Sequence, residues 1–430
     1  MFKTFVNAWK LADLRKKMLF TLMILLLYRI GVAIPIPYLD SNMLSSYMAL
    51  TDGSIFQYLN ILSGNAFSQA TLFALNVSPY ITASIVIQLL TIAIPALEEM
   101  AKEGQDGQKK LNQITRYVTV ALGLITAFGY YMLLRNNGVL VDTGVFPAIV
   151  IISCYCAGAS LIMWLAEKVN EFGIGNGISL ILFANIVSRA PQLVSSFWSY
   201  LTNGKISGPI IAVVSLIIGL AMVVFIVFMQ DSERRLPIQY AKKVVGRKMY
   251  GGQSSTLPLK LTMTGVMPII FANSIVTIPA TIALFFPTPA EGTFWAKFLH
   301  AFSSGSWLYA ILTFVLIIAF AYFYTAITFN PIEVANNLKK NGGFIPGIRP
   351  GKPTADYITK ILNRITLIGA ICLGIISVVP MIANILAKGT LSELAFSGNS
   401  IIIVVGVILE TTRELESQMT LRHYKGFLDK

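Results

Sequence analysis

Leu59 to Pro79 reads "LNILSGNAFSQATLFALNVSP". The fold turns on this stretch. It is too apolar for an ordinary loop. It is too polar to cross a bilayer, with Asn60, Ser63, Gly64, Asn65, Ser68, Gln69 and Thr71 crowded into one half. Elsewhere the chain has long, clean apolar runs, so a half-apolar segment between two of them calls for an explanation.

The runs on either side set the class. Of 430 residues, 55% are hydrophobic and 12% charged, against about 25% charged in soluble domains. That balance marks an integral membrane protein. Cys154, Cys156 and Cys372 all lie in apolar runs, which suits small buried hydrophobes better than a disulfide or a metal site. The first apolar run is about twenty residues long, beyond a signal-peptide core, and no small-residue cleavage site follows it, so no cleavable signal is expected.

A span needs about 20 apolar residues. Ten are expected, at 18–38, 72–95, 117–134, 147–166, 176–193, 209–229, 264–286, 307–328, 361–386 and 395–411. The last is the weakest, because Ser397, Gly398, Asn399 and Ser400 interrupt its start. Of the 33 Lys and Arg, 27 fall on one side. Arg135, Arg189, Lys205, Lys297 and Lys388 fall on the other, and Arg29 lies within the first span. The positive-inside rule then puts both termini in the cytoplasm and favours an even number of spans. The formal charge of +13 is therefore mostly topology, not a sign of nucleic-acid binding. Phe2, Phe5, Val6 and Trp9 form a stripe fit for a short helix in the membrane interface. Ten spans divide into two groups of five. An odd number reverses direction, so structural repeats would be inverted.

Chemistry is scarce. Ionisable groups at membrane depth, which proton relays and coupling ions require, are nearly absent. No H-E-x-x-H, Walker A or G-x-S-x-G motif occurs. "GIGNGIS" (Gly173–Ser179) has glycines but no following lysine, and reads as turn geometry. Asn76-Val-Ser matches a glycosylation acceptor by chance at a helix start. Polarity is instead uncharged: Asn76, Ser78, Thr82, Ser84 and Gln88 in the second span, Thr264, Asn273, Ser274 and Thr277 in the seventh. Such groups bond helix to helix. Weak bonds of that kind would let the two spans form a seam that opens.

Two long loops carry the basic charge. Residues 230–263 hold Arg234, Arg235, Lys242, Lys243, Arg247, Lys248 and Lys260; residues 329–360 hold Lys339, Lys340, Arg349, Lys352 and Lys360. Gly342-Gly343, Pro346-Gly347 and Pro350-Gly351 suggest ordered turns. Phe344 and Ile345 near Arg349 suggest a docking tip for a large partner, either an RNA backbone or an acidic protein surface.

"RIGVAIPIP" (Arg29–Pro37), "SPYITASIVIQLL" (Ser78–Leu90), "GIGNGISL" (Gly173–Leu180), "LPLK" (Leu257–Lys260), "FNPIEVANNLKK" (Phe329–Lys340) and "GIRPG" (Gly347–Gly351) together resemble the SecY family. That family supplies the channel subunit of the bacterial Sec protein translocon. Thr256 departs from the histidine relatives often carry. The resemblance implies an all-α membrane protein of ten helices, in two inverted five-helix halves around an hourglass pore. The halves would be 18–193 and 194–411, between an interfacial segment 1–17 and a cytoplasmic tail 412–430. It implies an apolar pore ring of Ile81, Ile85, Leu182, Ile186, Ile270 and Ile403. It implies a lateral gate between spans 2 and 7, with Thr82, Gln88, Asn273 and Thr277, flanked by spans 3 and 8.

The quoted stretch then corresponds to the family's plug, residues 58–70, with Tyr58, Ile61, Leu62, Ser63, Gly64, Asn65 and Phe67. Ile61, Leu62 and Phe67 would cap the ring, and a true span would begin near Pro79. Implied partners are the membrane subunits SecE and SecG, the motor ATPase SecA, the ribosome through its RNA, signal peptides and nascent chains, and lipid. SecA or the ribosome would dock on Arg234, Arg235, Lys242, Lys243, Arg247, Lys248, Lys339, Lys340 and Arg349. No cofactor or metal is implied, and the location would be the bacterial plasma membrane. An apolar ring excludes water and ions by dewetting yet grips no particular side chain, which suits passage of any polypeptide. The residues alone leave two rivals, a small-solute transporter and an insertase or scaffold without a through-pore.

Overall fold

The computed structural model describes residues 2–40, 43–44, 66–202, 207–240, 243–245, 248–250, 254–263, 265–283, 294–302, 306–386 and 398–428. Helices dominate. In chain order the first nine are α1 (Phe2–Lys10), α2 (Ala12–Val32), α3 (Ser78–Ala93), α4 (Pro95–Lys102), α5 (Gln105–Asn136), α6 (Val145–Phe172), α7 (Gly177–Ser188), α8 (Ala190–Thr202) and α9 (Ser207–Asp231). Strands β1 (Glu233–Tyr240), β2 (Lys243–Val245), β3 (Lys248–Tyr250) and β4 (Ser254–Lys260) follow. Then come α10 (Met267–Val276), α11 (Ile278–Ala283), α12 (Phe294–Ala301), α13 (Trp307–Thr328), α14 (Pro331–Lys340), β5 (Gly343–Phe344), α15 (Lys352–Leu386) and α16 (Gly398–Leu428).

Six described helices are long and apolar enough to cross a bilayer, or seven if α3 and α4 count as one bent span. Proline explains much of the difference from ten clean runs. Ile94 precedes Pro95, and a residue before proline is pushed out of the helical region; Ile94 is extended at φ −112° and ψ 112°. The chain turns by 101° there. The expected span 72–95 thus supplies a helix of 16 residues, which rises about 24 Å against about 30 Å of hydrocarbon. Expected span 264–286 breaks at Thr277, two residues before Pro279, into α10 and α11. Expected span 176–193 is kept within one apolar span, Gly177–Ser199, although a break at Arg189 divides it into α7 and α8. The first span starts earlier than 18–38 and ends at Val32; residues 33–40 form turns and two isolated bridges, Pro35 to Thr71 and Leu39 to Leu140. The expected tail 412–430 is not separate, because α16 continues unbroken to Leu428.

The expectation of an all-α chain is corrected by the sheet. Strands β4, β1 and β5 pair antiparallel in that order, and β2 pairs with β3. Glu233–Tyr240 alternates, with Leu236 and Ile238 facing in. They meet Leu259, Leu338, Ile345, Ile358, Ile361 and Ile365 in one small core. Strands β1, β4 and β5 of the two long loops therefore share one core, built on the first turns of α15 and capped by α14. Ile345 is part of that core, not an exposed docking tip.

The helices pack as two groups. In one, α2, α3, α5, α6 and α7 share contacts; in the other, α10 packs on α13, α13 on α15, and α16 on α9 and α15. The groups meet along α3 with α10 and along α7 with α16. Near the second meeting line, α1 lies on α16: Phe5 and Ala8 pack against Leu14, Ile174 and Leu415. Val6 and Trp9 of the expected interfacial stripe face outward.

Candidate functional site

All six expected ring residues lie in or against one large apolar core. Ile81, Ile85, Leu182, Ile270 and Ile403 are buried in one apolar core, and the half-buried Ile186 packs against it. Ile81 and Ile85 share a face of α3, and Leu182 and Ile186 share a face of α7, as residues four apart must. Ile81, Leu182, Ile270 and Ile403 form part of the wall of a cavity of about 340 Å³. Leu122, Ile125 and Thr126 of α5 close one side, and Ser274, Thr277 and Ile282 of α10 and α11 close the other. The cavity follows the line where α3 meets α10.

Polar side chains along that line do not cross it. Thr82 donates to the Ser78 carbonyl at 3.0 Å, and Gln88 reaches only Ser84 of its own helix at 3.5 Å. Ser274 donates to the Ile270 carbonyl and Thr277 to the Ser274 carbonyl, each at 2.9 Å. Ser and Thr in helices return readily to the carbonyl one turn back. Among the described residues no hydrogen bond joins α3 to α10. The expectation of a seam held by interhelical hydrogen bonds is corrected: the seam is apolar contact and space.

Asn273 also bonds away from the seam. It accepts from Asn399 Nδ2 at 3.1 Å, and Ser377 in turn donates to Asn399. A similar cluster sits in the first group. Tyr28 OH donates to Asn185 Oδ1 at 2.8 Å, and Asn185 Nδ2 donates to Asn76 Oδ1 at 3.2 Å. Asn76 is buried, which removes it as a glycosylation acceptor. It stands at φ +52°, a left-handed conformation that asparagine tolerates.

The other meeting line is bonded. Gly175 N donates to Glu414 Oε2 at 2.9 Å, joining the turn before α7 to α16. Gly175 has φ +83°, and an added Cβ would come within 3.1 Å of Thr411 Oγ1. Asn176 caps α7 by accepting from Ile178 N and Ser179 N. Thr4 donates to Glu416 at 2.9 Å and Lys17 to Gln418 at 3.2 Å. The glycine motif is a joint, and no phosphate group is needed to explain it.

Of the expected plug residues, Tyr58, Ile61, Leu62, Ser63, Gly64 and Asn65 lie outside the described residues. Phe67 is described, and it does not cap the ring. Its ring lies 4.4 Å from that of Tyr130, whose hydroxyl donates to the Phe67 carbonyl. Phe67 belongs to a separate core with Tyr130, Leu134, Ile151 and Tyr155. Residues 70–72 are tied to the exit of α2 by Ile36 N to Ala70 O and Leu72 N to Ile34 O. A true helix does begin near Pro79, at Ser78.

The basic residues divide. Lys242 and Arg247 lie outside the described residues. Lys243 and Lys248 fall on paired strands. Arg234 and Arg235 lie exposed on β1, with Arg235 held 2.6 Å from Glu233. Lys339 and Lys340 end α14, where cations suit the helix dipole. Arg349 is exposed, and its carbonyl accepts from Thr354 at 2.8 Å, so the tip is ordered. Lys260, at the end of β4, borders a second cavity of about 360 Å³ with Gln230, Glu410 and Arg413. Burial, then the nearby Arg413 guanidinium, lowers the Lys260 ammonium from its ordinary value.

Fold and site together define a multi-pass membrane protein whose two helix groups meet along one line with hydrogen bonds across it and one without any among the described residues. The family described as SecY matches residues 71–412. The protein translocase subunit SecY of Streptomyces galbus is 42% identical over 442 residues, covering 100% of both chains. That of Mycobacterium tuberculosis strain H37Rv is 43% identical over 446 residues with the same coverage. A solved structure described as that of a protein conducting channel is similar in fold, with a TM-score of 0.65 at 17% identity over 94% of this chain and 92% of that one. Sec61 in a canine ribosome–channel complex gives 0.61 at 16% over the same shares. This chain belongs to the SecY family.

Proposed function

We propose that this chain is the central pore subunit of a protein-conducting channel. It passes unfolded secretory chains through the ring and releases apolar segments sideways between α3 and α10. The single observation that carries this is the cavity on the α3/α10 line, with four ring residues at its wall and no hydrogen bond across it. Such a seam parts without leaving buried donors or acceptors unpaired, a loss that would cost about 1–3 kcal/mol per group. The ring behind it is apolar, so it seals by dewetting and binds no sequence in particular.

The finer parts of the proposal follow from family membership. Ten spans form two inverted halves with both termini in the cytoplasm of a bacterial cell. Residues 58–65 are the moving part of the plug. SecE and SecG flank the channel, and SecA or a ribosome supplies the energy. The exposed Arg234, Lys339, Lys340 and Arg349 on one compact body support a docking role. The chain itself performs no chemistry.

Stalling a secretory precursor in the reconstituted complex tests the pore. Cysteines at Ile81, Ile186 and Ile270 are expected to cross-link to the stalled chain; no cross-link from any of them, in an active preparation, overturns the proposal. Arg349→Glu tests docking. It is expected to reduce precursor export more than tenfold, about 1.4 kcal/mol or more of lost coupling, with assembly intact by co-purification. Unchanged export removes the docking role.

A further inference from the structure

The two buried polar clusters are wired alike. In each, a hydroxyl donates to Oδ1 of an asparagine on α7 or α16, whose Nδ2 donates to Oδ1 of an asparagine at α3 or α10. The first runs Tyr28, Asn185, Asn76, and Tyr28 OH also reaches Asn76 Oδ1 directly at 3.4 Å. The second runs Ser377, Asn399, Asn273. Tyr28, Asn185 and Ser377 have no exposed surface, and the other three are at most 5% exposed. Bulk water therefore cannot replace a lost bond, and an unpaired amide in an apolar interior is costly.

Their placement follows the ring. Asn185 stands between Leu182 and Ile186. Asn273 follows Ile270 by about one turn, and Asn399 precedes Ile403 by about one turn. Asn76 holds the left-handed residue that leads into α3, five residues before Ile81. Each cluster bonds three segments of its own helix group. Fixing an asparagine in this way fixes the height and rotation of its helix, and so of the ring residue a turn away.

We propose that Tyr28, Asn76 and Asn185, and separately Ser377, Asn399 and Asn273, are positioning residues for the ring, each set holding one arc of it as a rigid unit. The ring then opens as two arcs, Ile81, Ile85, Leu182 and Ile186 against Ile270 and Ile403. It does not open as six independent side chains. This rests on the pore-ring assignment, and the test separates the two.

The test is ion leak through the idle full-length channel in its complete membrane complex, reconstituted in vesicles, read beside the melting temperature. Asn185→Ala and Asn399→Ala are each expected to raise the leak about fivefold, the equilibrium worth of one net hydrogen bond. Asn76→Ala added to Asn185→Ala raises it by less than a second fivefold, because the bond the two share is already lost while the 3.4 Å bond from Tyr28 to Asn76 is cut as well. Asn185→Ala with Asn399→Ala multiplies to about 25-fold, because independent sites add in free energy. Tyr28→Phe, which removes only a hydroxyl, raises the leak without loss of folded protein. Leu134→Ala lies in the separate core around Tyr130; it lowers the melting temperature and leaves the leak unchanged. A leak that simply tracks melting temperature, Leu134→Ala included, overturns the positioning role. So does an unchanged leak in the asparagine variants when Ile81→Ser leaks. If Ile81→Ser is itself tight, the ring assignment fails, and this proposal with it.

Discussion

The two lines along which the helix groups meet are built to opposite ends. At α7 and α16, backbone and side chains bond across: Gly175 to Glu414, with Lys17 to Gln418 and Thr4 to Glu416 beside it. At α3 and α10, the hydroxyls of Thr82, Ser274 and Thr277 bond back to their own helices. Polarity alone therefore does not locate the glue in a membrane bundle. Reach matters more. Ser and Thr spend their hydroxyls one turn back, while asparagine and glutamate reach a neighbouring segment. The result is a body bonded across one meeting line and held by apolar contact along the other.

The joint breaks first under substitution. Gly175, whose N–H bonds Glu414 of α16, stands at φ +83°, and an alanine Cβ there would lie 3.1 Å from Thr411 Oγ1 of the same helix. A side chain is strained in that left-handed backbone and crowds Thr411, so Gly175→Ala is expected to cost about 3 kcal/mol, read as lost stability of the purified complex. Glu414→Ala removes a charge-assisted acceptor from Gly175 N. A loss of about 2 kcal/mol is expected in the same measurement. Thr277→Val at the seam is expected to stay within about 0.5 kcal/mol, since only an intrahelical bond goes. A seam variant as costly as the joint variants would erase the distinction.

Much of this was legible in the chain. Ile81 and Ile85 on α3, and Leu182 and Ile186 on α7, share a face because each pair is four residues apart. The start of α3 near Pro79 was legible from the polar, Gly-bearing segment before it. Other features were hidden for physical reasons. Leu236 and Ile238 alternate correctly for a strand, but Pro237 and the flanking arginines make Glu233–Tyr240 read as a charged loop. Asn399 looked like an interruption of the last span, and Asn185 was lost within an apolar run. Each is explained only by a partner more than twenty residues away in sequence, Asn185 with Asn76 and Tyr28, Asn399 with Ser377 and Asn273. Phe67 resembles a stopper residue in composition; its neighbour Tyr130, on another helix, makes it an anchor instead. Single-chain patterns show faces, not the partners that those faces meet.

The most direct measurement is to tie the seam shut. Thr82 and Ser274 border the same cavity from α3 and from α10. Cysteines at these two positions, joined by bifunctional reagents of increasing length in the active complex, set how far the groups can part. A short bridge is expected to stop both precursor export and lateral release of apolar segments, and a long one to restore both. Full export and release with the shortest bridge in place would contradict the account.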